Sequence, residues 1–136
     1  MKSSIPPGGF ILKEAMMALA LSLTLAVGVA QMLATVAQQR RSMKQVTAAH
    51  REAGNRMEEL ARRPWGETTP QHLASLGLSE ESRQCLPGGK LHVEVADEDD
   101  DTRRISIRID WRRPSGSRGE PVRLIGWKFR NGESRP

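Results

Sequence analysis

Glu14 is the carboxylate in this chain with the strongest claim to chemistry, because it stands beside Lys13 inside an apolar block that runs from Phe10 to Ala37. A charge at membrane depth is costly unless paired, so an intramembrane carboxylate is by default a functional group in want of a cation. Lys13 is the nearest cation, although adjacent positions on a helix do not face each other. The second concentration of polar groups is the run from Asp97 to Asp101. Asp97, Asp99 and Asp101 offer the hard oxygen ligands that calcium takes, but the run lacks the alternating spacing and the glycine of an EF-hand loop. It reads first as the solvated tip of a hairpin. His50, His72 and His92 share no metal-ligand spacing and read as surface side chains. Cys85 has no histidine near it in sequence, so it reads as a small, part-buried structural residue rather than a nucleophile. Nucleophile-elbow, phosphate-loop and paired-carboxylate motifs are all missing. The expectation is a protein without catalytic residues or cofactor.

The elements that position Glu14 come next. The chain has 136 residues, enough for one small domain. Its net charge of +5 is mild and it contains no Tyr, three Trp and two Phe. Nucleic acid is therefore not the expected partner, since a base-stacking platform needs more aromatic side chains. Arg103, Arg104, Arg108, Arg112 and Arg113 form a possible basic stripe, but solvent-facing strand arginines are the plainer reading. A single cysteine excludes an internal disulfide. The mean hydropathy of −0.51 describes a soluble chain, yet it averages over the block from Phe10 to Ala37. That block is long enough to cross a hydrocarbon layer, which takes about 20 residues, and too long for the ~7–15-residue core of a secretory signal. Ahead of it, residues 1–9 end in Pro6-Pro7-Gly8-Gly9, a run that reads as a non-helical leader.

Gly9-Phe10-Ile11-Leu12-Lys13-Glu14, followed by a helix rich in Ala, Leu and Met, resembles the class III signal of type IV pilins and type II secretion pseudopilins. The resemblance implies that a prepilin peptidase cuts after Gly9 on the cytoplasmic side and methylates the new N-terminus at Phe10. It also implies that Glu14, at the fifth mature position, pairs with the free amino group of a neighbouring subunit during assembly. Lys13 stands where the family usually carries a large aliphatic residue, and Lys2 is the one basic residue of the leader. Arg40, Arg41 and Lys44 just past the apolar block would, by flanking charge alone, put the C-terminal side in the cytoplasm. The resemblance implies the reverse, and it accounts for the leader as well. The implied location is the bacterial inner membrane, single-pass, with the N-terminus cytoplasmic, the C-terminal domain periplasmic, and incorporation into a periplasmic or extracellular fibre. The implied partners are the peptidase, other pilin or pseudopilin subunits, an inner-membrane assembly platform and lipid.

Beyond Ala37 helix formers continue, and Met43, Val46, Ala49, Ala53, Met57, Leu60 and Ala61 recur at spacings of three and four. This is the stripe of an amphipathic helix, with a possible kink at Gly54-Asn55 and an end at Pro64. Thr69-Pro70 and Ser79 are candidate caps of two short turns, the second running from Glu80 to Cys85 and closed by Pro87-Gly88-Gly89. The period then changes to two. Leu91, Val93 and Val95, then Ile105, Ile107, Ile109 and Trp111, alternate with polar residues, and a last strand runs from Val122 to Phe129. The expected organisation is a leader at 1–9, a transmembrane half-helix at 10–37 and an amphipathic half-helix at 38–63. A connector at 64–89, an antiparallel meander at 90–130 and a tail at 131–136 complete it. The expected fold is α+β and pilin-like, a long helix packing Val46, Ala49, Ala53, Met57 and Leu60 on a three-stranded antiparallel sheet. Trp111 before a turn and the final Val122-Arg123-Leu124-Ile125-Gly126-Trp127 strand are similar to minor pseudopilins and minor pilins. The expected function is that of a non-enzymatic fibre subunit. The alternative is a single-pass membrane-anchored periplasmic binding or adaptor module that never assembles.

Overall fold

The computed structural model describes residues 8–130, with side chains from residue 11, so that leader positions 1–7 and the tail at 131–136 lie outside the described residues. The architecture is α+β and consistent with a pilin-like fold: a long N-terminal helix, α1 (Gly8–Arg62), a single 3-10 turn at Trp65–Glu67, short helices α2 (Pro70–Leu73) and α3 (Glu80–Cys85), then strands β1 (Lys90–Asp99), β2 (Thr102–Asp110) and β3 (Val122–Phe129). The chain divides into two units, Met1–Arg40 and Arg41–Pro136.

The helix begins at Gly8, two residues ahead of the expected Phe10. The first turn of a helix has no intrahelical acceptors for its N–H groups, so Gly8 and Gly9 give up little by adopting helical angles there. In the first unit every side chain from Ile11 to Arg40 is exposed. The three hydroxyls of that stretch turn back onto the helix: Ser22 donates to the Ala18 carbonyl, Thr24 to Ala20 and Thr35 to Gln31, at 2.8, 2.8 and 2.9 Å. By length and composition α1 is long and apolar enough to cross a membrane, and among the described residues it is the one helix that is.

In the second unit α1 continues as helix through Gly54-Asn55. Its buried face is Gln45, Ala49, Glu52, Ala53 and Leu60, with Met57 partly buried. This face is rotated from the expected stripe, leaving Met43, Val46 and Ala61 exposed. Positions at three- and four-residue spacing share one face of the helix, so Gln45 and Glu52 are buried along with Ala49 and Ala53 whatever their polarity.

The sheet order is β1-β2-β3, both pairs antiparallel. Leu91, Val93 and Val95 lie opposite Ile109, Ile107 and Ile105, so the three rows share one face, as the alternation requires. Ile105, Ile107 and Ile109 are sealed into a core with Leu60, Leu73, Leu78, Leu86, Trp111 and Val122. Gly126 opens the middle of β3 to α1, since a Cβ there would stand 3.0 Å from Met57 Sδ. Ser79 caps α3 by accepting from the Ser82 N–H. Thr69 precedes α2 without capping it, because its hydroxyl meets His72 Nδ1 instead at 2.8 Å. The acidic run is not a loop. β1 carries through Asp99, with a register shift between Asp97 and Asp99, leaving the tip to Asp100 and Asp101. The partners on β2, among them Arg103 facing Asp97, extend the ladder further than alternation alone suggested.

Candidate functional site

The Gly9-Phe10 junction falls in the helical backbone at the start of α1, and its side chains lie outside the described residues. Lys13 and Glu14 are both exposed on α1. Among the described residues no ion pair joins them to each other or to anything else. Glu14 is thus presented outward on a segment whose hydroxyls are all satisfied internally, which leaves it available to a cation from outside the chain.

The calcium candidates are scattered. Asp97 accepts from Arg103 Nε at 2.6 Å, Asp99 closes β1, and Asp101 lies 3.9 Å from Arg130 across the hairpin tip. Among the described residues no group of three or more His, Cys, Asp or Glu side chains is placed to hold a metal ion. His72 bonds Thr69, and His92 lies 3.2 Å from Asp110. Cys85 is exposed rather than part-buried. The inward face of α3 is taken by Ser82, and Leu86 just after it fills the core.

The arginines do not form one stripe. Arg104 and Arg108 sit on the outer face of β2, near Glu98 and Asp110 at 3.6 and 3.2 Å. Arg103 points the other way. Its guanidinium stacks over Trp65 at 4.2 Å from the ring centroid and donates to the carbonyls of Trp65 and Thr68 at 2.7 and 3.0 Å. That contact ties the end of α1 to the β1–β2 hairpin through a cation–π stack and charge-assisted bonds.

Two polar centres escaped the sequence reading. Glu52 is buried on α1, with Oε1 accepting from the Ser79 N–H and Arg56 Nε at 2.9 and 3.1 Å, and Oε2 accepting from Ser79 Oγ and Ser82 Oγ at 2.7 and 2.8 Å. Burial disfavours its charge, but the Ser79 and Ser82 bonds and the Arg56 guanidinium outweigh that and hold Glu52 below its ordinary value. Lys128, from β3, donates to the Leu60 and Arg63 carbonyls and to Thr68 Oγ1. It satisfies carbonyls that the C-terminus of α1 leaves open and sits at the negative end of the helix dipole. Burial, and then Arg103, push its ammonium down. The one legible signal for Glu52 was its spacing of three from Ala49 and four from Arg56; for Lys128 the sequence carries none. Both centres are anchors holding the second unit together, and each borders a groove: Glu52, Arg56, Ser79, Ser82 and Cys85 line one of about 550 Å³, and Lys128, Arg63, Trp65 and Arg130 line one of about 860 Å³. No family model matches the chain, and no curated protein and no solved structure matches it either.

Proposed function

We propose that this chain is a non-enzymatic, membrane-inserted subunit of a pilin-like fibre, a minor pilin or pseudopilin processed after Gly9 and assembled through α1. The observation that carries this reading is the first unit: an apolar helical segment exposed on all sides, with its hydroxyls bonded back to the helix, carrying one unpaired carboxylate at Glu14. Back-bonded hydroxyls suit a hydrocarbon surrounding, where unsatisfied polar groups are costly. A plain anchor has no use for Glu14, since Ala or Leu there would insert more easily. In a fibre, the amino group freed at Phe10 of one subunit supplies the missing cation and sets the axial register of its neighbour. On this reading the small α+β second unit lies in the periplasm. The partners on this reading are the prepilin peptidase, sibling subunits, the inner-membrane assembly platform and lipid.

Intact-mass spectrometry of protein extracted from membranes tests it. The expected mass is that of a chain beginning at Phe10 with one added methyl group. A chain that still begins at Met1, or one cut within the apolar block, refutes the reading and leaves a membrane-anchored module in its place.

A further inference from the structure

The two edge strands of the sheet, β1 and β3, carry opposite charge. β1 bears Glu94, Asp97, Glu98 and Asp99 against a single Lys90, and Asp100 and Asp101 follow at the tip. β3 bears Arg123 and Lys128 with no carboxylate, and Arg130 follows. Like charge on both edges would repel every copy and is a common way of blunting a sheet edge. Opposite charge repels only the symmetric pairings, β1 with β1 and β3 with β3, and favours β3 of one copy beside β1 of the next.

The charge is also graded along each strand. The carboxylates of β1 crowd its C-terminal half, while β3 ends at Lys128 and Arg130 beside a groove of about 860 Å³ whose lining includes Arg62, Arg63 and Trp65 and no carboxylate. A parallel alignment brings the acidic end beside Lys128 and Arg130; an antiparallel one sets it against Val122 and the single cation Arg123. Placing Asp97 beside Lys128 puts both on the α1 face of the sheet, where Asp97 already holds Arg103 and Lys128 the end of α1, so the charges left to meet are Asp99 and Asp100 with Arg130; it also brings Ala96 beside Trp127 and Glu94 beside Ile125 on the outer face. That outer face of β3 exposes Ile125, Trp127 and Phe129, an apolar row lying next to the sheet edge. On the β1 side, α2 lies against the strand and reaches the core through Leu73, with no backbone hydrogen bond to β1 among the described residues. The outward backbone groups of β1 therefore have no hydrogen-bond partner among the described residues.

We propose that β3 of one copy pairs in parallel with β1 of a second copy of this chain, so that the sheets of successive subunits join edge to edge. The pairing is head-to-tail and does not close on itself, the symmetry of a filament rather than a dimer. It deepens and rests on the fibre reading, because subunits that share one direction along a fibre present their strands in parallel.

The test uses the full chain in its membrane, with Cys85→Ser to remove the native thiol. One variant adds Ala96→Cys and another Ile125→Cys, both exposed positions, and a short bismaleimide is applied to cells making one or both. A third variant, Leu19→Cys, reports contact through α1. A dimer that forms only when the Ala96→Cys and Ile125→Cys chains are present together is the expected result. Arg130→Glu in the Ile125→Cys chain lowers its yield about threefold, the scale of an exposed charge contact, and Asp100→Arg in the Ala96→Cys chain restores it. A dimer of either variant with itself, a product with a protein of different mass in place of this dimer, or a yield indifferent to both charge changes overturns the proposal. No edge dimer while Leu19→Cys crosslinks overturns the edge pairing and leaves the fibre standing. Loss of both products overturns the edge pairing and the fibre reading together.

Discussion

Replacing Glu52 by Gln keeps the size of the side chain and removes its charge, which isolates the carboxylate that joins α1 to the connector. In the folded protein that carboxylate accepts four hydrogen bonds, from the Ser79 N–H, Ser79 Oγ, Ser82 Oγ and Arg56 Nε. A bond to a charged group contributes about 1.5–3 kcal/mol, but the four share one acceptor and do not add. Glutamine retains one carbonyl oxygen, and the serine hydroxyls can rotate to accept from its NH₂ group, so the expected loss is about 2 kcal/mol. Glu52→Ala strands Arg56 and Ser82 without a partner in a buried place, and its expected cost is about 4 kcal/mol. For a unit of this size about 2 kcal/mol lowers the melting temperature by roughly 10 °C. The assay is near-ultraviolet circular dichroism of the full chain in detergent, since Trp65, Trp111 and Trp127 all lie in the second unit. The pH dependence gives a second readout. Burial opposes the charge, yet the Ser79 and Ser82 bonds and Arg56 hold Glu52 below its ordinary value of 4.5. As pH falls through that value the unfolded chain takes up the proton first, so the stabilisation is complete above it and disappears as pH drops through the folded value. Wild type therefore loses stability below about pH 4.5 more steeply than Glu52→Gln, and the two melting curves converge in acid. A Glu52→Gln protein melting within about 2 °C of wild type at neutral pH would refute the view that this network holds the connector.

Ile107→Asp sets a carboxylate in the sealed core and should unfold the second unit, whereas Arg108→Asp on the outer face should change the melt by less than about 1 kcal/mol; equal effects in a thermal melt would refute the assigned faces. Gly89→Ala drives a Cβ to 2.7 Å from Leu78 Cδ1 and 2.9 Å from the Leu86 carbonyl oxygen, so it should destabilise by about 1–3 kcal/mol in the same melt, and a neutral result would show that the segment before β1 yields freely. Glu14→Ala should leave membrane insertion and processing at Phe10 intact while preventing co-purification with sibling subunits; unchanged co-purification would show that Glu14 does not set the register.

The strands were legible because a sheet with one buried face writes its burial directly into alternation: Ile105, Ile107 and Ile109 are the residues that a period of two selects, and they are the sealed ones. The cap at Ser79 was legible for a local reason, since an N-cap serves an amide only three residues away. The helix face was read one step off. Counting only apolar residues admitted Met43 and Val46 and omitted Gln45 and Glu52, although spacing alone puts the last two with Ala49 and Ala53. The strand content of the acidic run was hidden as well, because its stability comes from cross-strand partners such as Arg103, which no local window contains. Glu14 stood out in the sequence through its surroundings alone, a carboxylate in an apolar block.

The alanines on the buried face of α1 leave a problem that the polar anchors solve. Ala49 and Ala53 present a smooth surface with little area, and burial energy scales with area and has no direction. Such a face tolerates sliding of helix against sheet more readily than interlocked large side chains do. Three contacts oppose it. Met57 seats against Gly126 in the middle of β3, Glu52 grips Ser79 and Ser82 on one side, and Lys128 holds the last carbonyls of the helix from the end of β3. Hydrogen bonds are lost within fractions of an ångström of displacement, and a charged group pulled from its partners in a buried place is costly. Apolar packing therefore provides adhesion, and Glu52 and Lys128 provide position.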